Sequence, residues 1–297
     1  MKTIDVNTRI RIKNIAFATD LSPASYAALP FAAEFARFYG ARVWGFNVFC
    51  PKVYPLPKSL VLPAPAEDSR DVAKQLASQL EKRLAGVPQE VVIVDGEILN
   101  ALSAFIEKNN IDLLVIGTHG RTGVRKAVMG SVAEMVFRQS LCPVLTVGPK
   151  ASNRLDQPVE TKEILYATDF TPPSQAAAPY AIPLAQEHQA HLVLLHVIEP
   201  PKTPELAHGG EFVSATMKRL RDLVPPEAEL WCKPEHVAQY GSPADNILKV
   251  AARGHSHLIV LGVRKPEGSI GLTTHFARAT AYRVVSEACC PVLTVRG

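Results

Sequence analysis

The chain repeats itself. The segment Lys13-Asn-Ile-Ala-Phe-Ala-Thr-Asp20-Leu-Ser22-Pro23 returns as Lys162-Glu-Ile-Leu-Tyr-Ala-Thr-Asp169-Phe-Thr171-Pro172, 149 positions later (20 to 169). The correspondence runs without gaps from Lys13–Phe49 to Lys162–Ile198. Both copies also close alike, on Cys142-Pro-Val-Leu-Thr-Val147 and on Cys290-Pro-Val-Leu-Thr-Val295. A period this long means duplicated domains rather than a solenoid, whose repeats run to roughly 20–50 residues. The 297 residues therefore divide into a first domain over 1–150, a polar linker from Ala151 to Glu160, and a second domain over 161–297. Each is close to the usual domain size.

Inside a copy, short apolar runs alternate with longer helical stretches, the signature of βαβ units and a mostly parallel sheet. In the first copy the pattern predicts strands at Ile15–Thr19, Val43–Phe49, Glu90–Val94, Leu113–Gly117 and Val144–Val147. It predicts helices at Ala24–Tyr39, Asp68–Ala85, Ile98–Asn109 and Val132–Ser140. Ser22 and Pro23 read as an N-cap and first helical residue, and Gly40 as a helix stop. Continuous runs such as Leu113-Leu-Val-Ile-Gly117 and Leu258-Ile-Val-Leu-Gly262 suit strands covered on both faces. Cys50–Ala66 carries prolines at 51, 55, 57, 63 and 65 and is expected to be a long loop over the strand ends.

Composition narrows the partners. Thirty-two Lys and Arg against 28 Asp and Glu leave a net charge of +4, too little to demand nucleic acid or an anionic membrane. Met1–Lys13 is polar and reads as neither a secretory signal nor an anchor, and no apolar run approaches the ~20 residues that span a bilayer. Five cysteines without a C-x-x-C pair suggest neither a disulfide framework nor zinc, so the cytoplasm is the expected compartment.

Ligands of open parallel sheets bind beyond the carboxyl ends of the strands. After the fourth strand the chain reads Gly117-Thr-His119-Gly120-Arg121-Thr-Gly123-Val-Arg125-Lys126-Ala-Val-Met-Gly130-Ser131. Glycine-rich turns leading into a helix let backbone N–H groups approach phosphate oxygens at the positive end of the helix dipole. The spacing is not G-x-G-x-x-G, and no P-loop or G-x-S-x-G elbow occurs, so dinucleotide binding of the Rossmann type, P-loop chemistry and a serine hydrolase are disfavoured. The loop suits holding phosphate rather than attacking it.

The pattern Gly117-x2-Gly120-x9-Gly130-Ser131, with Ala-Thr-Asp20 ending the first strand and Cys-Pro-Val-Leu-Thr-Val as the fifth, resembles the universal stress protein family over nearly the whole chain. The resemblance implies two tandem Rossmann-like α/β domains, each a five-stranded parallel sheet of order 3-2-1-4-5 with helices on both faces. It implies ATP as ligand, with Mg2+ arriving on the nucleotide. Asp20 and Val48, flanked by Ala18 and Ile116, would hold adenosine; Gly117, Gly120, Gly130, Ser131 and Val132 would hold the phosphates. The second copy keeps Asp169, Val197 and Gly262, but counting back from the shared fifth strand puts Arg278-Ala279 where the first has Gly130-Ser131. An arginine at a helix start would occupy phosphate space, so this site is expected to be empty, self-filled by Arg278, or adapted to another small ligand.

Plainer readings stand beside these. Asp20 suits a cap or turn before a helix, and a duplicated cap would recur as Asp169. His119 lacks a second metal ligand or an orienting carboxylate, and no metal site or catalytic group is identified. The functions left are a stress-response regulator that binds ATP in its first domain with slow or no hydrolysis, a nucleotide-independent interaction scaffold, and an adenylating enzyme for which no second pocket is found. Protein partners are unknown. In the strand order that the resemblance implies, the fifth strands are edges, expected to pair across a pseudo-twofold axis with Leu145 and Leu293 near the domain–domain interface, and any homodimer would use other surfaces.

Overall fold

The computed structural model describes residues 9–49, 69–118, 131–152, 161–199, 209–226, 234–264 and 275–297. The first half runs β1 (Asn14–Ala18), α1 (Pro23–Tyr26), α2 (Leu29–Tyr39), β2 (Arg42–Phe49), α3 (Ser69–Arg83), β3 (Gln89–Asp95), α4 (Ile98–Lys108), β4 (Leu113–Gly117), α5 (Ser131–Gln139) and β5 (Val144–Val147), then a short helix α6 (Pro149–Ser152). The second repeats it: β6 (Glu163–Ala167), α7 (Pro172–Gln175), α8 (Ala178–Glu187), β7 (His191–Ile198), α9 (Gly209–Arg221), β8 (Glu235–Tyr240), α10 (Pro243–Gly254), β9 (Leu258–Val263), α11 (His275–Glu287) and β10 (Val292–Arg296).

The strands form one ten-stranded sheet, β3-β2-β1-β4-β5-β10-β9-β6-β7-β8. Each half keeps the order 3-2-1-4-5 with parallel neighbours, and β5 joins β10 antiparallel with Leu145 opposite Leu293. The two halves thus hide each other's edge strand, which would otherwise expose unpaired backbone. Leu145 and Leu293 are equivalent in the repeat and buried, as expected of residues on a local twofold axis.

Alternation along each strand feeds two apolar layers. Ile15 and Phe17 pack with Leu29, Ala32, Leu76 and Leu80 on the α2/α3 face. Ala16, Leu114, Ile116 and Phe46 pack with Leu102, Phe105, Val136 and Phe137 on the α4/α5 face. Both layers continue through the second half, so the core runs across the join.

Two local expectations change. The helix expected over Ala24–Tyr39 is two helices, parted at Ala27 and Ala28. Pro30 is the cause: it has no N–H for the Tyr26 carbonyl four residues back, its ring would collide with that carbonyl, and it suits the first turn of a new helix. Pro179 divides α7 from α8 at the equivalent point. The expected linker begins inside α6, where Ala151 is buried; 153–160 and the proline-rich 50–66 lie outside the described residues. The Ser22 N-cap, which accepts from the Ser25 amide, and the left-handed Gly40 that ends α2 at φ 64° are as expected.

Candidate functional site

Beyond β1 the chain makes a clamped turn. The Thr19 amide stays in the sheet, donating to the Phe46 carbonyl at 3.0 Å, while Leu21 takes the left-handed conformation at φ 66°. A leucine there is strained, and its neighbours hold it. The Leu21 amide donates to Thr19 Oγ1 at 2.9 Å, and that hydroxyl meets Ser25 Oγ at 2.6 Å. Asp20 Oδ1 accepts from the Ser22 amide at 3.0 Å and the Ser22 hydroxyl at 2.6 Å, orienting the residue that caps α1. Asn47 Nδ2 on β2 donates to the Thr19 carbonyl at 2.8 Å. The plain reading of Asp20 as a turn residue is therefore realised, and any ligand would meet a carboxylate already fixed in place.

The second half rebuilds the turn almost bond for bond. Phe170 is left-handed at φ 60°, its amide reaches Thr168 Oγ1 at 3.0 Å, and Asp169 Oδ1 accepts from the Thr171 amide and hydroxyl. Burial opposes the charge on Asp169. Bonds from the Ser174 and Thr171 hydroxyls and the Thr171 amide, with Arg264 nearby, outweigh it and hold the carboxyl below its usual range. His196 stands where Asn47 stands, its Nδ1 2.8 Å from the Thr168 carbonyl. The ring centroids of Phe170 and His196 are 4.5 Å apart, and the Arg219 guanidinium lies 3.9 Å over Phe170. Pattern reading missed Asn47 and His196, although each is a polar residue at the same point of an apolar strand.

Ala18, Val48 and Ile116 come together on the α4/α5 face at the carboxyl ends of β1, β2 and β4, with Ala18 in register with Ile116. Val197 occupies the matching place on β7. α5 packs Ala133, Val136 and Phe137 against this face, leaving Val132 exposed.

Gly117 has a structural duty. A Cβ there would lie 3.0 Å from the Ala24 carbonyl oxygen and the Ser25 Cα, so its missing side chain lets α1 pack on β4. Gly262 is tighter, since a Cβ would run into the Pro173 carbonyl and the Ser174 backbone. Packing alone thus accounts for the glycine that survives in the second half. Gly120 and Gly130 lie outside the described residues.

Arg278-Ala279 does not head its helix. α11 begins at His275, so Arg278 is its fourth residue rather than its start. The sequence His275-Phe-Ala-Arg278-Ala279 holds no glycine or proline to stop the helix growing toward its N-terminus. Among the described residues no group of three or more His, Cys, Asp or Glu could hold a metal.

Comparison with known proteins agrees with the architecture. The sequence model of the Universal stress protein family matches twice, over residues 11–148 and 160–296. Universal stress protein MJ0531 of Methanocaldococcus jannaschii is 32% identical over 145 residues, covering 46% of this chain and 81% of that protein. A universal stress protein of Thermus aquaticus is 34% identical over 140 residues, 46% of this chain and 98% of its own length. The crystal structure of a universal stress protein from Archaeoglobus fulgidus superposes with a TM-score of 0.70 at 19% identity, over 97% of both chains, which shows a shared fold. With two clamped turns, two half-sheets of order 3-2-1-4-5 joined into one and two matches to one family, this chain belongs to the universal stress protein family as a tandem, two-domain member.

Proposed function

We propose that the chain is a nucleotide-binding regulator whose first domain, 1–150, takes ATP with Mg2+ at the carboxyl ends of β1, β2 and β4, while the second, 161–297, has lost the phosphate half of the site. Asp20 and Val48, beside Ala18 and Ile116, would hold adenosine. Gly117, Gly120, Gly130, Ser131 and Val132 would surround the phosphates, where a helix start offers free amides and a favourable dipole. The observation that carries the reading is the contrast between two otherwise matching sites. The turn after the first strand recurs almost bond for bond between the halves, whereas the position that is Gly130 in the first is Arg278, the fourth residue of α11, in the second.

Asp169, Val197 and Gly262 then remain as the framework of a site that no longer takes triphosphate. The Asp20 carboxylate is committed through Oδ1 to the Ser22 amide and hydroxyl rather than to positioning a water, so the ligand would serve as a signal with slow turnover at most. Cys142 carries an unbridged thiol, which burial pushes up to about 11, in keeping with a cytoplasmic setting. Mass spectrometry of nucleotide released by denaturing freshly purified protein tests the reading. Adenine nucleotide near one per chain is expected, and protein that neither carries nor takes up nucleotide would contradict it.

A further inference from the structure

α5 joins the proposed phosphate site to the other domain. Its described part, Ser131–Gln139, follows the glycine-rich stretch in sequence and spans nine residues, about 13 Å of helix. Its last carbonyls meet a cation from the second half. Arg296 at the end of β10 donates from Nη1 to the Gln139 carbonyl at 2.9 Å, with the Ser140 carbonyl at 3.4 Å. Arg296 Nε is buried and finds no partner among the described residues, so the guanidinium is anchored mainly by this helix end.

The contact is one-way. The position equivalent to Arg296 in the first half is Gly148, which faces the last carbonyls of α11: a Cβ there would lie 3.2 Å from the Val285 oxygen and 3.8 Å from that of Ala288. A glycine has no side chain to bond them. Of the two equivalent helices, α5 is capped at its C-terminal end from across the axis, and α11, which carries Arg278, receives no such cap from Gly148.

We propose that Arg296 is a positioning residue for the phosphate half of the first site, making nucleotide affinity in one domain depend on docking of the other. The inference rests on the nucleotide reading above. A guanidinium on the C-terminal carbonyls fixes how far α5 reaches along the sheet, and so where its N-terminal amides stand relative to Asp20 and Val48. It also complements the negative end of the dipole whose positive end would face the phosphates. Linkage makes the effect reciprocal: ATP tightens domain docking by the factor that docking tightens ATP.

The test uses the full chain with Arg296→Met, which keeps the aliphatic stem, and Arg296→Lys, which restores a cation. Calorimetry is run with ATP and with adenosine, and amide exchange of α5 is followed without ligand. Arg296→Met should weaken ATP roughly three- to tenfold, leave adenosine within about twofold, and speed exchange near Gln139, with Arg296→Lys recovering most of the loss. An ATP affinity equal to wild type, or an equal loss for ATP and adenosine, overturns the inference while leaving the nucleotide reading intact. A wild-type chain that binds neither ligand overturns both.

Discussion

Tyr39 and His188, the same position in the two copies of the repeat, meet each other edge to face with ring centroids 6.1 Å apart. The local twofold axis that passes between Leu145 and Leu293 in the sheet therefore also passes between the ends of α2 and α8 in the layer above. Around it Phe38 stacks on His188 at 3.8 Å, Tyr39 Oη donates to Glu187 Oε2 at 2.6 Å, and the Ile10 amide reaches Glu187 Oε1 at 3.0 Å. Three aromatic rings and one carboxylate tie the halves together where the sheet does not.

That cluster makes stability sensitive to acid. Burial lowers His188 from 6.5 to about 4, so the folded chain keeps the ring neutral while the unfolded chain protonates it. The penalty is absent above about pH 6.5 and grows as pH falls toward about 4. Allowing for the part of the ring open to water, wild type should lose about 1 kcal/mol more than His188→Gln between pH 7.5 and 5 in denaturant unfolding. Parallel losses would show that His188 is not the sensing group.

The central strand pair should be the strongest join. Leu145→Ala or Leu293→Ala removes a buried side chain on the axis and should cost about 2–4 kcal/mol. Leu145→Asp should part the halves, read as faster proteolysis between them. Undiminished protease resistance in Leu145→Asp would mean that the helix contacts alone hold the domains.

The two strand-end glycines should behave as packing residues. Gly262→Ala would force its methyl into the Pro173 carbonyl and should destabilise by about 1–3 kcal/mol. Gly117→Ala, 3.0 Å from the Ala24 oxygen, should cost less. Equal denaturation midpoints for Gly262→Ala and wild type would contradict this packing role.

Much of this was legible in the residues. The repeat fixed on Asp20 and Asp169 and the apolar strand runs carried the βαβ alternation, and the shared Pro-Val-Leu-Thr-Val, with the strand order implied by the family resemblance, put Leu145 and Leu293 near the join, because each depends on local pattern or on edge protection. What escaped depends on contacts between distant segments or on one residue's backbone. Pro30 cuts a helix whose apolar spacing continues across it. Leu21 and Phe170 adopt left-handed conformations that their side chains do not advertise. His188 meets Tyr39, and Arg296 meets Gln139, only once the axis exists.

The central claim is that one of two matched sites takes ATP. Isothermal titration of the intact chain with Mg-ATP, wild type beside Gly130→Arg, tests it most directly. The account expects one site per chain in the wild type and loss of binding in a Gly130→Arg variant that unfolds at the same denaturant concentration. Two equivalent sites, or ATP affinity unchanged by Gly130→Arg, would contradict it.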